Sequence, residues 1–169
     1  YSEKVTVFGS AGKRKYRLSL SSARRTLVNI RSRGIKNVKI SPGVSYPLLR
    51  RGSVEALEAL AAAYRQQTGQ TITLTSAYRA GDPNWHGTGF AVDIDTPDAG
   101  RIGGRVRFPK GSKAKRDLEI LATLAVQLGW DGVIHGDVDV IASLKRKYPK
   151  HHILQRDDHF NHLHLSYIR

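Results

Sequence analysis

Apolar residues recur along this chain at two intervals, and the intervals predict its elements. Residues 53–69, SVEALEALAAAYRQQTG, repeat at the helical spacing and predict the strongest helix. Ser53 is placed to cap it, Glu55 and Glu58 lie near its positive end, and Gly69 can close it. AKRDLEILATLAVQLG predicts a second helix ending at Gly129, and DVIASLKRKY a short one. Upstream, LSSARRTLVNIRSRG reads as a single amphipathic helix, with Ala23, Leu27 and Ile30 on one stripe, Ser21 or Ser22 at its start and Gly34 at its end. Period two appears in TITLTS (71–76) and GFAVDID (89–95), which predict strands. HLHLSYI alternates in the same way: His162, His164 and Ser166 share one face, and Leu163, Leu165 and Tyr167 the other. WDGVIH reads as a short strand or turn, SPGVSYPLLRRG as a connection, and residues 96–113 as a long Gly-rich loop of the kind that often serves a site. Together these elements predict an α+β fold, a small, largely antiparallel sheet with helices packed on it.

Composition narrows the classes. With 169 residues, 40% hydrophobic and 25% charged, the chain is expected to fold as one unit with a real core. No apolar run approaches the roughly 18–20 residues of a membrane span, and no signal-peptide pattern is visible. The chain starts at Tyr1 and holds no methionine, which predicts a mature product or one domain of a longer polypeptide. Zero cysteines exclude disulfides and thiolate metal ligands.

Charge divides the chain. Residues 1–52 carry 13 Lys/Arg against one acid, Glu3, and so hold +12 of the net +14. The expected organisation is therefore a basic segment over 1–52, with a short helix and linker packed on the rest, and a nearly neutral main domain over 53–169. A basic surface favours polyanions: nucleic acid, anionic lipid or an acidic cell-wall polymer. Arg24, Arg25, Arg31 and Arg33 are either a solvated helix face or a docking face for such a polymer.

The chemistry concentrates in NWHGTGFAVDID (84–95) and in the last strand. His162 and His164, two residues apart on one strand face, can converge on a point in front of the sheet, although a wet polar face gives the same pattern. His86 and Asp93 are seven apart, a spacing at which neither a continuous helix nor a strand lets two side chains share an ion. A reversal does, and Gly87-Thr88-Gly89 supplies one. Asp93 then follows on a strand, facing away from Phe90, Val92 and Ile94. With one histidine of the C-terminal pair this makes three nitrogen/oxygen donors, the donor set of a catalytic zinc with an open fourth position.

His86-x6-Asp93 and His162-x-His164, preceded by SAYR (Ser76 to Arg79), resemble the zinc peptidases of bacterial peptidoglycan. These include D-Ala-D-Ala carboxypeptidases, L-Ala-D-Glu endolysins and penicillin-insensitive murein endopeptidases, and hedgehog domains share a related zinc fold. The resemblance covers roughly residues 53–169; the first 50 residues match none of these patterns. It implies zinc held by His86, Asp93 and His164 on the open sheet face, and a peptidoglycan peptide as substrate. It also implies an extracytoplasmic setting: cell wall, periplasm or phage virion. His162 becomes an active-site histidine, and Arg79 binds a substrate carboxylate or the oxyanion. Ser76 and Tyr78 stand beside it as substrate-binding positions, Tyr78 also being placed to pack beneath the site. DHFNHLHL further resembles the murein endopeptidase subgroup through His159. One departure stands out. Many relatives carry an acidic general base three residues before the zinc histidine, and here that residue is Asn161. The base is then expected among His162, His159 and Asp158, in that order.

Other polar residues have double readings. Asp95 is either a support for a ligand histidine or a surface carboxylate, and Trp85 and Trp130 are expected to pack. His151 and His152 read as surface residues, and Asp131, His135, Asp137 and Asp139 as a polar turn. Two rival functions remain. One is a basic metal nuclease or nucleic-acid module, against which stand 8% aromatic content and no nucleic-acid fold signature. The other is a non-catalytic hedgehog-like zinc module, which Asn161 keeps open.

Overall fold

The three alternating segments meet in one sheet. The computed structural model describes residues 2–6 and 14–169, with side chains from Arg17 onward. Its elements are β1 (Ser2–Thr6), β2 (Arg14–Leu18), α1 (Leu20–Thr26), β3 (Val28–Asn29), α2 (Ile30–Arg33), β4 (Val38–Ile40) and β5 (Leu48–Leu49). There follow α3 (Arg51–Thr68), β6 (Ile72–Ser76), a 3-10 turn (Trp85–Thr88), β7 (Ala91–Asp95), β8 (Gly100–Ile102), β9 (Arg105–Arg107) and α4 (Lys113–Gln127). The chain closes with β10 (Gly132–His135), α5 (Val138–Lys147), β11 (His152–Gln155) and β12 (His162–Ser166).

The fold is α+β. Six strands form a mixed sheet in the order β11-β10-β12-β7-β6-β4. Its centre is antiparallel, β10 to β12 to β7 to β6, and its two outer pairs, β10 with β11 and β6 with β4, are parallel. One face packs on the long helices. Leu57 and Leu60 of α3, Leu118 and Leu121 of α4, and Leu74, Ile94, Leu163 and Leu165 of the sheet all belong to one buried cluster. Each such side chain contributes about 2 kcal/mol by leaving water. The alternate residues on β7 and β12 are thereby turned to the other face. No described helix is long and apolar enough to cross a membrane.

Several local expectations are corrected. The amphipathic stretch is not one helix but α1 and α2, separated at Leu27–Asn29. The cap of α1 is Ser19, whose hydroxyl accepts from Ser22 N, rather than Ser21 or Ser22. Asn29 Oδ1 accepts from both Arg31 N and Ser32 N, restarting the helix as α2. Ala23, Leu27 and Ile30 are still all buried. Helix α3 begins at Arg51, and its first turn has no side-chain cap. Ser53 is instead fully buried, its hydroxyl 3.3 Å from the carbonyls of Phe90 and Tyr167. The Gly-rich loop contains the β8–β9 hairpin.

The 52/53 junction falls inside the first turn of α3. β4, from the basic stretch, is an edge strand of the main sheet, and Ile30 and Leu49 share the core of α3. The side chains of Lys4, Lys13, Arg14 and Lys15 lie outside the described residues.

Candidate metal centre

One cross-strand row organises the site. Ser76 on β6 lies opposite Asp93 on β7, Asp93 opposite His164 on β12, His164 opposite Ile134 on β10, and Ile134 opposite Leu154 on β11. Directly opposed residues share a face, so the row crosses five strands on one side of the sheet.

His86 reaches this row from the 3-10 turn. Gly89 closes that turn at φ 80°, a left-handed conformation that favours glycine. Gly87 permits a closer approach still: a Cβ there would stand 2.1 Å from the Asp82 carbonyl and 3.0 Å from Arg17 Cγ. Leu27 lies against Gly89, and Tyr78, itself buried, donates its hydroxyl to the Leu18 carbonyl at 2.6 Å. Arg50 donates from Nε to the Thr88 carbonyl at 2.9 Å and lies over the Phe90 ring. The basic segment is thus packed against the loop that carries His86.

Three donor atoms meet there. His86 Nε2, Asp93 Oδ1 and His164 Nδ1 are each 3.1 Å from the other two. All three residues are buried, and together they could hold a metal ion. Surrounding groups fix each donor. His86 Nδ1 lies 2.7 Å from the Ala77 carbonyl, which only accepts, so Nδ1 carries the proton and neutral His86 presents a bare Nε2. Asp93 Oδ2 is taken by Arg79 at 2.9 Å, leaving Oδ1 for the site. His164 Nε2 lies 3.4 Å from Ser166 Oγ.

This arrangement fits a cation. Donors about 2.1 Å from a tetrahedral zinc are about 3.4 Å apart, close to the spacing here. With neutral imidazoles and an ionised Asp93, the His86 Nε2 to Asp93 Oδ1 contact sets two acceptors 3.1 Å apart, a repulsion that a cation between them would relieve. Burial alone would raise the Asp93 pKa, but in the metal-free site proton-bearing His164 and His86 rings outweigh it and hold the carboxyl well below its usual range. Burial pushes His164 down to about 4, against the pull of Asp93. Asp93 and His164 are thus both shifted toward the unprotonated forms that metal binding requires.

Two further histidines, His162 and His159, lie beside the trio. His162 lies with Nε2 3.9 Å from Asp93 Oδ2, outside the donor triangle. Its Nδ1 donates to Asn161 Oδ1 at 2.7 Å, so Asn161 orients the ring. Burial lowers the His162 pKa, opposed by Asp93. His159 packs against His162 with ring centroids 4.6 Å apart and the planes tilted by 47°, and Asp158 Oδ1 accepts from its Nδ1 at 2.8 Å. That bond lowers the Asp158 pKa.

A cleft of about 570 Å³ opens onto His86 and His164, lined also by Arg79, Asp82, Trp85, Leu154, Arg156 and His159. His152, read as a surface residue, lines this cleft. Asp95 is exposed and supports neither ligand ring, since their second nitrogens face Ala77 and Ser166. Trp85 and Trp130 are buried, against Phe90 and Tyr167. The polar turn is structural: Asp137 caps α5, and buried His135 faces Thr96. No protein-family model matches the chain, and no curated protein matches it significantly.

Proposed function

We propose that this protein is a zinc metallopeptidase that hydrolyses amide bonds in peptidoglycan peptides, as the resemblance of its motifs implies. The observation that supports this most is the triangle of 3.1 Å contacts among His86 Nε2, Asp93 Oδ1 and His164 Nδ1 at the base of an open cleft. Zinc bound there supplies a Lewis acid and lowers the pKa of water toward about 7.

The chain's own residues supply the rest. With Asp158 holding its Nδ1 proton, neutral His159 presents a bare Nε2 to receive a proton from the attacking water and return it to the leaving amine. His162, oriented by Asn161, presents Nε2 beside the trio and can stabilise the oxyanion or share the proton. Arg79 spans Asp93 and Asp82, so it fixes a metal-binding carboxylate while half of its side chain stays open to the cleft. Arg24, Arg25 and Lys39 are exposed and suit an anionic wall polymer, with an extracytoplasmic setting to match.

The test is digestion of purified peptidoglycan with and without chelator, the products being read by mass spectrometry, alongside a nuclease assay. Chelator-sensitive release of muropeptides is expected. Release that survives complete metal removal, or metal-dependent cleavage of nucleic acid alone, overturns the reading.

A further inference from the structure

The two imidazoles of the trio present opposite nitrogens. His86 points Nε2 into the site and His164 points Nδ1. A neutral imidazole that gives one nitrogen to an ion carries its proton on the other, and that N–H needs an acceptor. For His86 the acceptor is the Ala77 carbonyl, 2.7 Å from Nδ1. For His164 the group beside Nε2 is Ser166 Oγ, at 3.4 Å. The first acceptor is backbone and the second a side chain, so only the second depends on which residue the sequence places there.

Strand geometry explains how a hydroxyl comes to stand at that point. Ser166 lies two residues beyond His164 on β12, on the same strand face, and is 2% exposed. Its cross-strand neighbour on β10 is Gly132, which in turn lies opposite His152 on β11. A Cβ on Gly132 would stand 2.9 Å from Ser166 Oγ, but 3.6 Å from His152 Cδ2, an ordinary contact. Gly132 is not among the glycines of positive φ, so its backbone does not call for glycine either. The one atom that a side chain there would crowd is the hydroxyl beside His164. A cation on Nδ1 draws charge from the ring and makes the Nε2 proton a stronger donor, so a contact that is long at 3.4 Å strengthens when the ion binds.

We infer that Ser166 is a positioning residue of the metal centre: its hydroxyl accepts the Nε2 proton of His164 and so holds the bare Nδ1 toward the ion, while Gly132 keeps the space in which that hydroxyl stands. This rests on the metal-binding half of the proposed function and is independent of the peptidase half.

The test compares the whole chain as wild type, Ser166→Ala and Gly132→Ala. Zinc affinity is measured by competition with a chromophoric chelator, and the imidazole N–H protons of the zinc-loaded proteins are followed by NMR. Ser166→Ala removes the acceptor, whereas Gly132→Ala pushes it aside and leaves it in the chain. Both variants should bind zinc about tenfold more weakly than wild type. The His164 Nε2 proton should move upfield in both, as a proton does on losing its hydrogen bond, while the His86 Nδ1 proton on the Ala77 carbonyl stays in place. A general loosening of the fold would not single out His164 in this way. Wild-type zinc affinity in either variant, or an unmoved His164 proton, overturns the positioning role. A wild type that binds no zinc overturns the metal reading and the role of Ser166 with it. A wild type that binds zinc, shows the His164 signature and releases nothing from peptidoglycan overturns the peptidase reading alone.

Discussion

Arg50 donates from Nε to the carbonyl of Thr88 at 2.9 Å, two residues beyond His86, one of the three candidate metal ligands. Its backbone N–H donates to Gly89 at 2.8 Å, and its guanidinium lies 4.8 Å from the centroid of Phe90. A residue that reads in sequence as one more positive charge is thus a strut of the loop that carries His86.

Arg50→Ala should therefore lower stability by about 2 kcal/mol, the scale of a charged hydrogen bond, and weaken zinc binding as well. Arg50→Lys, which keeps the charge but not the fork, should recover only part of both. Urea denaturation with parallel zinc titration checks this. Unchanged zinc affinity in Arg50→Ala would show that the strut does not reach the site.

Gly87 leaves no room for a side chain, its missing Cβ falling 2.1 Å from the Asp82 carbonyl. Gly87→Ala should cost about 3 kcal/mol or more, because backbone must move to admit the methyl group. Zinc affinity should fall with it, measured in the fraction that remains folded by circular dichroism.

Acid should destabilise the metal-free protein in two overlapping windows. Burial, helped by the charges on His162 and His159, holds His135 down to about 3. Between about pH 6.5 and 3 the unfolded chain therefore binds a proton that folded His135 refuses, so stability falls with pH by about 1.4 kcal/mol per unit. His164, at about 4, acts in the same direction. Asp93, depressed in the fold, adds its own loss below about pH 4. Chemical denaturation from pH 7 to 4 should show the slope, and His135→Gln should reduce it by about one proton. A flat profile would contradict the burial of neutral His135.

The Asp158–His159 pair gives a kinetic prediction. His159→Ala should lower turnover by about 100-fold, and Asp158→Asn by about tenfold, with one zinc still bound in each. Loss of zinc in either variant would mean that the pair holds the metal centre rather than moves protons.

Much of this was legible in the sequence. The helices of residues 53–69 and 114–129 and the three alternating strands appear because burial of one face imposes a period, and period survives without knowledge of the fold. Gly87-Thr88-Gly89 was legible as a reversal because no regular backbone lets His86 meet Asp93. Short elements were not. β4 and β11 are edge strands of three and four residues, defined by their partners rather than by their own pattern. The split between α1 and α2 was hidden because Ala23, Leu27 and Ile30 face inward in either geometry. Ser53 looked like a cap, yet tertiary carbonyls 37 and 114 residues away claim its hydroxyl. The partner of Asn161 was equally invisible. The sequence shows only that it cannot take a proton, whereas the structure shows it holding His162.

The central claim is that His86, Asp93 and His164 bind zinc while His162 stands beside it. Native mass spectrometry of the wild type, His162→Ala and His164→Ala with one equivalent of zinc tests this most directly. One zinc per chain is predicted for the wild type and His162→Ala, and none for His164→Ala. Equal zinc in the two variants, or a wild type that binds none, would contradict it.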